Sequence, residues 1–362
     1  MSVRSPTATE HVRDRRIDRV QALLAPSALL SEIPLGEREA QVVLRGRQQV
    51  EAILDREDDR LLVVVGPCSV HDPKATLHYA RRLSEQAAEH ERDLKIAMRV
   101  YFEKPRTTTG WKGLINDPHL DGSGDVNTGL RVARRLLLDV VGLDLPVGCE
   151  FLDPITPQYI SDAVSWAAIG ARTTESQIHR QLGSGLSMPV GFKNRTDGNV
   201  QVAVDAVRAA SVPHAFAGID FNGTPAILYT QGNRDSHIIL RGGRQAPNYG
   251  GDPVAAALAL LRAAGLPERL LIDVSHDNSG KDAARQPTVA ADVAEQVAGG
   301  NGAIVGVMLE SFLVAGRQEL ASAAELTYGQ SITDACIDWG TTVEVIDGLA
   351  RAVRQRRQAT AR

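Results

Sequence analysis

Four cationic side chains stand close together in RVYFEKPRTTTGWKG, which covers residues 99–113. They are Arg99, Lys104, Arg106 and Lys112, and one acidic residue offsets them. Clustered cations repel one another unless anions neutralise them, and arginine pairs with phosphate and carboxylate groups in a bidentate manner. The stretch therefore predicts a site for an anionic ligand.

A thiol, an imidazole and a carboxylate stand where three other β-branched runs end. They are Cys68 in GPCS, His276 in VSH and Glu310 in MLES. This mixed set of donors suits a borderline divalent metal such as Mn, Fe, Co or Zn better than Ca or Mg. An acidic ligand from the segment after Glu310 would complete the set, and the site would keep a position for water or substrate.

Eight short apolar runs predict eight strands, with amphipathic helical patterns between them. The runs cover residues 61–69, 94–104, 146–152, 166–174, 189–194, 237–243, 270–276 and 303–311. Strand and helix alternating eight times is the sequence form of a (β/α)8 barrel. The predicted fold class is therefore α/β, a TIM barrel whose active site lies at the carboxyl ends of the strands.

Every predicted strand delivers a chemically competent side chain to that mouth. In chain order these are Cys68, Arg99 with Lys104, Glu150, Arg172, Lys193, Arg241, His276 and Glu310. Each alone has an ordinary explanation, such as a buried cysteine or a surface arginine. Together with Arg106, the cations on this rim number six, and two phosphates and a carboxylate would account for that number.

Two segments lie outside the eight repeats. The first carries helical patterns at residues 16–24 and 38–54 and is predicted to be an extension used in regulation or oligomerisation. The second carries two alternating runs around an Asn-Gly pair, which is a strong hairpin signal. The predicted divisions are the extension at 1–60, the catalytic barrel at 61–350 with an inserted β-ribbon at 214–231, and a basic C-terminal tail at 351–362.

The composition of the 362 residues excludes several classes of protein. With a net charge of −4 and 4% aromatic residues, the chain is not expected to bind nucleic acid. No apolar run reaches the roughly 18 residues of a membrane span. Three scattered cysteines form no disulfide framework, and the N-terminus lacks the apolar region of a signal peptide. A cytoplasmic location is expected.

Several long motifs closely resemble one enzyme family, the class I 3-deoxy-D-arabino-heptulosonate 7-phosphate (DAHP) synthases. They are GPCSVHDP, RVYFEKPRTTTGWKGLINDPH, GARTTESQ, GFKN, ILRGG, SHDNSGK and YGQSITDACI. The resemblance runs from about Ile17 to the last predicted helix. It implies a metal-dependent condensation of phosphoenolpyruvate with erythrose 4-phosphate and water, the first step of the shikimate pathway, in a homodimer or homotetramer.

The resemblance also implies roles for individual residues. The metal ligands match Cys68, His276, Glu310 and, in SITDACI, Asp334. The residues that hold phosphoenolpyruvate match Arg99, Lys104, Arg172, Lys193 and Arg241, with Glu150 nearby. Those that hold erythrose 4-phosphate match Lys104, Pro105, Arg106 and Thr107. Lys104 touches both substrates and is the candidate proton donor, with His276 or a metal-bound water as alternatives.

Feedback-regulated members of the family bind an aromatic amino acid between the extension, the ribbon and nearby barrel loops. The matching positions are Asp14, Asp153, Pro157, Gln158, Ser187, Phe216 and Gly218. Gly218, Pro154 and the TQGN motif at 230–233 resemble the tyrosine-sensitive form, whereas phenylalanine-sensitive members tend to have Ser at 218. Because a missing hydroxymethyl group leaves room for a phenol oxygen, the predicted inhibitor is tyrosine. A role for Gly218 in ribbon geometry alone is the alternative.

Two residues depart from the family pattern. Arg195 in GFKNRTDG stands where Gly is usual, so backbone conformation or anion contacts are expected to differ there. Asp277 follows His276 where a small neutral residue is usual, and a carboxylate there would tighten metal binding or alter the metal preference.

The residues leave three other functions open. A class I aldolase would form a Schiff base at Lys193, and a regulatory paralogue would bind phosphates without turnover. The octulosonate phosphate synthases rank second, but they typically have KANRSS where this chain has KPRTT, and they lack the long extension.

Overall fold

The computed structural model describes residue 12, residues 14–320 and residues 325–360. The remaining parts of the predicted extension and tail lie outside the described residues, as do residues 321–324. None of the helices in these ranges combines the length and the hydrophobicity that spanning a membrane requires.

Twelve strands are described, and eight of them form a closed parallel barrel. The strands are β1 Leu61–Gly66, β2 Leu94–Arg99, β3 Val147–Glu150, β4 Trp166–Ile169, β5 Val190–Lys193, β6 Ala215–Ile219, β7 Pro225–Tyr229, β8 His237–Leu240, β9 Leu270–Asp273, β10 Ile304–Glu310, β11 Val314–Arg317 and β12 Gln330–Ser331. The order around the barrel is β1-β2-β3-β4-β5-β8-β9-β10, and β10 pairs with β1. Each barrel strand lies within one of the eight predicted runs, so the predicted (β/α)8 fold is confirmed.

Helices follow the barrel strands, as the amphipathic patterns predict. The helices are α1 Pro26–Glu32, α2 Glu37–Leu54, α3 Pro73–Glu89, α4 Val126–Val141, α5 Pro157–Ile160, α6 Gln177–Gly185, α7 Gln201–Ala210, α8 Gly251–Ala263, α9 Gln286–Ala298 and α10 Trp339–Thr360, with short 3-10 turns at Ser161–Ala163 and Ala283–Arg285. Aspartates cap two of them, because Asp72 accepts from backbone N–H groups at the start of α3 and Asp125 does so in α4. Residues 351–360 continue α10.

The barrel strands alternate between two apolar layers. Leu62 and Val64 of β1 point into the barrel, while Leu61, Val63 and Val65 pack outward against the helices. Three side chains of α2 join the inner layer and close the amino end of the barrel; they are Val50, Ile53 and Leu54. The polar functional groups of the barrel therefore lie at the opposite, carboxyl end of the strands.

The predicted ribbon is confirmed as the antiparallel hairpin of β6 and β7, in which Ala215 pairs with Tyr229. Gly223 in its turn has φ +77°, a conformation that favours glycine. The tip of the hairpin contacts the extension, since the backbone N–H of Ser27 donates to the carbonyl of Phe221 at 2.8 Å.

The first helical pattern predicted in the extension is wrong. Residues 17–25 form neither helix nor strand, and α1 begins only after them. Ile17 and Val20 are 55% and 86% exposed, so no packed apolar face stabilises a helix that short. The second pattern is confirmed as α2.

Hydrogen bonds attach the extension to the barrel. The backbone N–H of Leu24 donates to Oδ1 of Asn127 at 2.9 Å, and its carbonyl accepts from the hydroxyl of Tyr159 at 2.7 Å. The buried guanidinium of Arg134 donates to the carbonyl of Ile33 at 2.7 Å. The extension is therefore held against α4 and α5, on the barrel side that carries the predicted effector residues.

Candidate active site

The carboxyl ends of the barrel strands surround a cavity of about 620 Å³. Six predicted residues line it: Thr107, Arg172, Arg241, His276, Glu310 and Asp334. Other cations in the wall, not among the predicted site residues, are Arg244, Lys281 and Arg317. The cavity is therefore a predominantly cationic space bordered by the predicted metal ligands.

Cys68, Glu310 and Asp334 bring one sulfur and two carboxylate oxygens within 4.8 Å of one another. This is possible because β1 and β10 are neighbours, with Gly66 paired to Glu310. Nζ of Lys104 lies 2.8 Å from Sγ of Cys68 and 2.9 Å from Oδ2 of Asp334. The three donor groups thus form a pocket that attracts positive charge.

Burial and neighbouring charges set the protonation of this cluster. Burial and the Glu310 carboxylate raise the pKa of the Cys68 thiol to about 12. The Lys104 ammonium, opposing burial, holds the pKa of Asp334 well below its usual range. Burial disfavours the charge of Lys104, but Cys68 and Asp334 outweigh it and raise the pKa of that ammonium. Since metals bind the thiolate, a metal entering this site must displace the thiol proton.

His276 approaches the cluster from the end of β9. Its φ of +53° is uncommon for a residue other than glycine. Nδ1 lies 2.8 Å from both Oδ2 of Asp273 and Oγ of Ser275, and this hydroxyl donates to Oδ1 of Asp273 at 2.5 Å. Nε2 lies 3.6 Å from Oε1 of Glu310. The ring is therefore held through Nδ1, with Nε2 directed at Glu310. Among the described residues, His276 is not part of the group whose donor atoms all lie within 4.8 Å of one another.

Arg99 is 1% exposed and supports the ligand-bearing strands. Its guanidinium donates to Oε1 of Glu310 at 2.9 Å and to the carbonyls of Pro67 and Cys68, each at 3.1 Å. It also stacks over Tyr101, 3.6 Å from the ring centroid. These contacts orient Glu310 and the turn that carries Cys68.

Lys193 is also buried, at 2% exposure. Its Nζ lies 3.3 Å from Oδ2 of Asp273 and 3.7 Å from Oε2 of Glu150. An added Cβ at Gly170 would lie 2.7 Å from Oε1 of Glu150, so glycine at that position leaves room for the carboxylate. Two acidic side chains therefore share this one ammonium.

Arg241 forms an ion pair with Asp277, and both side chains line the cavity. Its backbone N–H donates to Oδ1 of Asn194 at 2.8 Å, which fixes the chain after β8. Asp277 therefore sets the position of a cavity cation. It lies beside His276 as expected, but it is not part of the Cys68, Glu310 and Asp334 donor group in the described chain.

The loop after β2 leaves its cations more accessible. Arg106 and Thr107 are exposed, and so is Arg172 in the turn after β4. Gly110 has φ +143°, and a Cβ there would lie 2.8 Å from Nε of Arg106. Glycine at this position therefore leaves space for the guanidinium of Arg106.

Residues 37–347 match the model of the DAHP synthetase I family. The chain belongs to this family. The Phe-sensitive phospho-2-dehydro-3-deoxyheptonate aldolase of Escherichia coli K12 is 56% identical, over 95% of this chain and 98% of that protein. The Tyr-sensitive enzyme of that name from the same organism is 52% identical, over 92% and 93% of the two chains. A solved structure of the aldolase from Francisella tularensis SCHU S4 is 49% identical with a TM-score of 0.92, over 94% of this chain and 99% of that chain.

Membership of the DAHP synthetase I family confirms the resemblance drawn from the motifs and, with it, the enzyme class. The donor set also fits a divalent metal. A thiol and two carboxylates lie within 4.8 Å of one another, and His276 reaches Glu310 through Nε2. Asp334, the acidic residue that the resemblance implied, lies in the same cluster as Cys68 and Glu310.

Asp273 is not among the predicted site residues, although its position in the chain carried a signal. It is an acidic residue at the end of the apolar run LLID, where the other strands also carry functional groups. Burial opposes its charge, but His276 and Lys193 hold the pKa of Asp273 well below its usual range.

The sequence predicts no more than a counter-charge at Glu103, yet this side chain is 3% exposed. Its carboxylate accepts from the backbone N–H groups of Leu152 at 3.4 Å and Asp153 at 3.2 Å. Burial, followed by the charge of Asp153, raises the pKa of Glu103 to about 8. The residue joins the loop after β2 to the loop after β3.

Three predicted effector residues lie in that loop after β3 and at the start of α5. Oδ1 of Asp153 accepts from the backbone N–H groups of Ile155 at 2.7 Å and Thr156 at 3.2 Å. Pro157 is buried and Gln158 is half-buried in α5. This segment is the one that Tyr159 of α5 joins to the extension, through its hydrogen bond to the carbonyl of Leu24.

The other predicted effector residues lie on separate elements. Phe216 and Gly218 are half-buried on β6, and Asp14 is exposed in the extension. Ser187 lines a cavity of about 360 Å³ together with residues that follow β7. A Cβ at Gly218 would lie 2.8 Å from Cδ1 of Leu228 on the paired strand, so a side chain there must displace Leu228.

Arg195, the first departure from the family pattern, bridges two loops. Its guanidinium donates to Oε1 of Glu175 at 2.8 Å and lies 3.2 Å from Oδ2 of Asp197. Its backbone φ is not positive, so arginine is accommodated there without strain.

Proposed function

We propose that the barrel mouth condenses phosphoenolpyruvate with D-erythrose 4-phosphate and water, giving 3-deoxy-D-arabino-heptulosonate 7-phosphate and inorganic phosphate. The observation that carries the proposal is one cationic cavity of about 620 Å³ bordered by a compact thiol and carboxylate cluster. Membership of the DAHP synthetase I family supports the same reaction.

Cys68, His276, Glu310 and Asp334 would hold the metal, for which Mn, Fe, Co and Zn are the candidates. When bound, the metal supplies Lewis acidity that polarises the aldehyde of erythrose 4-phosphate. Arg99 keeps Glu310 in place through its hydrogen bond of 2.9 Å. Ser275 and Asp273 hold the ring of His276.

The cations divide between two anionic substrates. Arg99, Lys104, Arg172, Lys193 and Arg241 would bind phosphoenolpyruvate, with Glu150 setting the position of Lys193. The loop of Lys104, Pro105, Arg106 and Thr107 would bind erythrose 4-phosphate. Fixing both anions at one mouth would bring C3 of phosphoenolpyruvate close to the aldehyde carbon in a reactive geometry.

Lys104 is the residue we assign to proton transfer. Its ammonium contacts Cys68 and Asp334, at the border between the ligand cluster and the loop that carries Arg106. C3 of phosphoenolpyruvate attacks the aldehyde carbon, and Lys104 donates a proton to the alkoxide that forms. Water adds at C2, and the hemiketal phosphate then loses inorganic phosphate by C–O cleavage.

The effector proposed is tyrosine. Gly218 is the supporting residue, because a serine there would add a hydroxyl beside the ligand and would also displace Leu228. Overall identity does not decide the effector, since the Phe-sensitive and Tyr-sensitive relatives are 56% and 52% identical.

Assembly as a homodimer or homotetramer, in the cytoplasm, is the expected setting. Apolar side chains exposed on the extension and the ribbon support assembly. Val20 is 86% exposed, Ile227 64% and Tyr229 79%. These side chains are suited to burial against a second copy.

Product identification tests the proposed function. Purified protein is incubated with both substrates, with and without chelator, and with each aromatic amino acid. The expected product is the seven-carbon phosphate, with turnover lost on chelation and restored by a divalent metal. Full turnover after exhaustive chelation, or no condensation with erythrose 4-phosphate, would refute the proposal.

A further inference from the structure

Asp273 is a fully buried carboxylate whose ionic partners are functional groups. It ends β9 and has 0% exposure. Oδ2 lies 2.8 Å from Nδ1 of His276 and 3.3 Å from Nζ of Lys193. Oδ1 accepts from both the hydroxyl and the backbone N–H of Ser275, at 2.5 and 3.0 Å.

Burying an ionised carboxylate costs free energy unless the charge is paired. The ionised form of Asp273 is therefore stabilised by its contacts with His276, Lys193 and Ser275. On the pleated strand, Leu271 faces the inner layer of the barrel, and Asp273, two residues later, is on the same face. One oxygen of Asp273 is therefore shared between a proposed metal ligand and a proposed phosphoenolpyruvate cation.

We propose that Asp273 is a positioning residue that couples the metal subsite to the phosphoenolpyruvate subsite. The inference rests on the roles assigned above to His276 and Lys193. The hydrogen-bond contact of Nδ1 is with Oγ of Ser275, and the 2.8 Å approach of Asp273 Oδ2 to Nδ1 is an ion-pair contact, since Oδ2 has no hydrogen-bond partner among the described residues. A carboxylate this close to Nδ1 favours the proton on Nδ1 and leaves the lone pair of Nε2 for a metal. The ammonium of Lys193 competes with the imidazole of His276 for Oδ2 of Asp273.

Phosphoenolpyruvate relieves this competition. When its anionic groups engage Lys193, the ammonium shares its charge with the substrate and draws less on Asp273. Asp273 then interacts more strongly with His276, and the metal is bound more tightly. Because coupling between two binding sites is reciprocal, the metal must raise the affinity for phosphoenolpyruvate by the same factor.

Glu150 supplies a matched control. Its carboxylate contacts the same ammonium, at 3.7 Å, whereas its described contacts include none of the four proposed metal ligands. Glu150→Gln is therefore expected to change the affinity for phosphoenolpyruvate and leave the affinity for Mn²⁺ within about twofold. Asp273→Asn keeps the shape of the side chain and removes its charge, so it should weaken Mn²⁺ binding by about 10- to 100-fold.

The test is calorimetric titration of metal-stripped, full-length protein, without erythrose 4-phosphate so that no turnover occurs. Mn²⁺ is titrated with and without phosphoenolpyruvate. In the wild type, phosphoenolpyruvate should raise the affinity for Mn²⁺ by about 5-fold or more. In Asp273→Asn this enhancement should fall to less than about twofold. Mn²⁺ binding by Asp273→Asn that equals the wild type, or an enhancement that persists, would overturn the inference.

A double-mutant cycle keeps the inference testable if Asp273→Asn folds poorly. Lys193→Ala removes the competitor and should tighten Mn²⁺ binding without phosphoenolpyruvate, and the change should be smaller in the Asp273→Asn background. If Lys193→Ala leaves Mn²⁺ affinity unchanged, the coupling is absent. A wild type that binds neither Mn²⁺ nor phosphoenolpyruvate would instead contradict the proposed function.

Discussion

Glu103 should make the folded protein less stable as the pH rises through neutrality. The side chain is 3% exposed, and burial followed by the charge of Asp153 raises its pKa to about 8. In the unfolded chain a glutamate titrates near 4.3. The folded state therefore holds the proton more tightly over the range between these values. The stabilisation that protonated Glu103 contributes is fully present below about pH 4.3, its pKa in the unfolded chain. It is lost as the pH rises toward about 8, its pKa in the folded protein.

The size of the effect follows from the linkage between protons and folding. Each rise of one pH unit between the two pKa values lowers the free energy of unfolding by about 1.4 kcal/mol. From pH 6 to pH 8 the folded protein should thus lose about 2 kcal/mol through Glu103, allowing for partial titration near the folded pKa. Above that range the loss levels off.

Glu103→Gln removes the titrating group and nearly keeps its shape. The amide can accept from the backbone N–H of Leu152 or Asp153 but not readily from both, so a pH-independent loss of about 1 kcal/mol is expected. The informative measurement is therefore how the difference in unfolding free energy between variant and wild type changes with pH. The difference in unfolding free energy between variant and wild type should shift by about 2 kcal/mol in favour of the variant from pH 6 to pH 8.

Chemical denaturation followed by circular dichroism measures this difference. Both proteins are unfolded at the same concentration and pH, so that effects of assembly and of other titrating groups largely cancel. A second variant, Asp153→Asn, should lower the pKa of Glu103 and move the loss of stability to lower pH. Equal differences between wild type and Glu103→Gln at pH 6 and pH 8 would refute the reasoning.

Three further substitutions test the proposed division of roles. Cys68→Ala should lower both metal affinity and turnover by more than about 100-fold while leaving the circular dichroism spectrum unchanged; wild-type turnover after metal stripping would contradict the ligand assignment. Arg106→Ala should raise the KM for erythrose 4-phosphate at least about tenfold more than that for phosphoenolpyruvate, since one charged contact contributes about 1.5 to 3 kcal/mol; equal rises would sink the assignment. Gly218→Ser should weaken tyrosine inhibition, and Gly218→Ala separates the hydroxyl from the steric effect, because both side chains meet Leu228. Strong inhibition of the wild type by phenylalanine and none by tyrosine would remove the basis of that last prediction.

The sequence by itself determined the barrel and the outline of its site. Strand positions were predictable because each strand of a parallel barrel is buried on both faces. Its sequence is therefore a short apolar run between two helical patterns. The ends of those runs then located Cys68, Lys193 and Glu310, since parallel strands deliver their carboxyl ends to one mouth. The long motifs added Asp334, for which no strand-end argument was available.

Contacts between distant segments could be decided only by the tertiary structure. Lys104 meets Cys68 and Asp334 because barrel closure places β1 beside both β2 and β10. The pairing of Asp277 with Arg241 also required the geometry of adjacent strand ends. Local sequence patterns carry no information on which charges face each other across such loops.

Which side chains are buried was likewise decided only by the tertiary structure. The apolar pattern at 16–24 is typical of a helix, but Ile17, Val20 and Leu23 are exposed, so the pattern lacks the packed apolar face that would stabilise one. Glu103 reads as a simple counter-charge, yet desolvation moves its pKa to about 8. Asp273 reads as one more residue of β9, and its importance appears only when closure of the barrel places Lys193 and His276 against the same carboxylate. Sequence specifies which groups are present, whereas the low-dielectric interior formed by folding fixes their charges and partners.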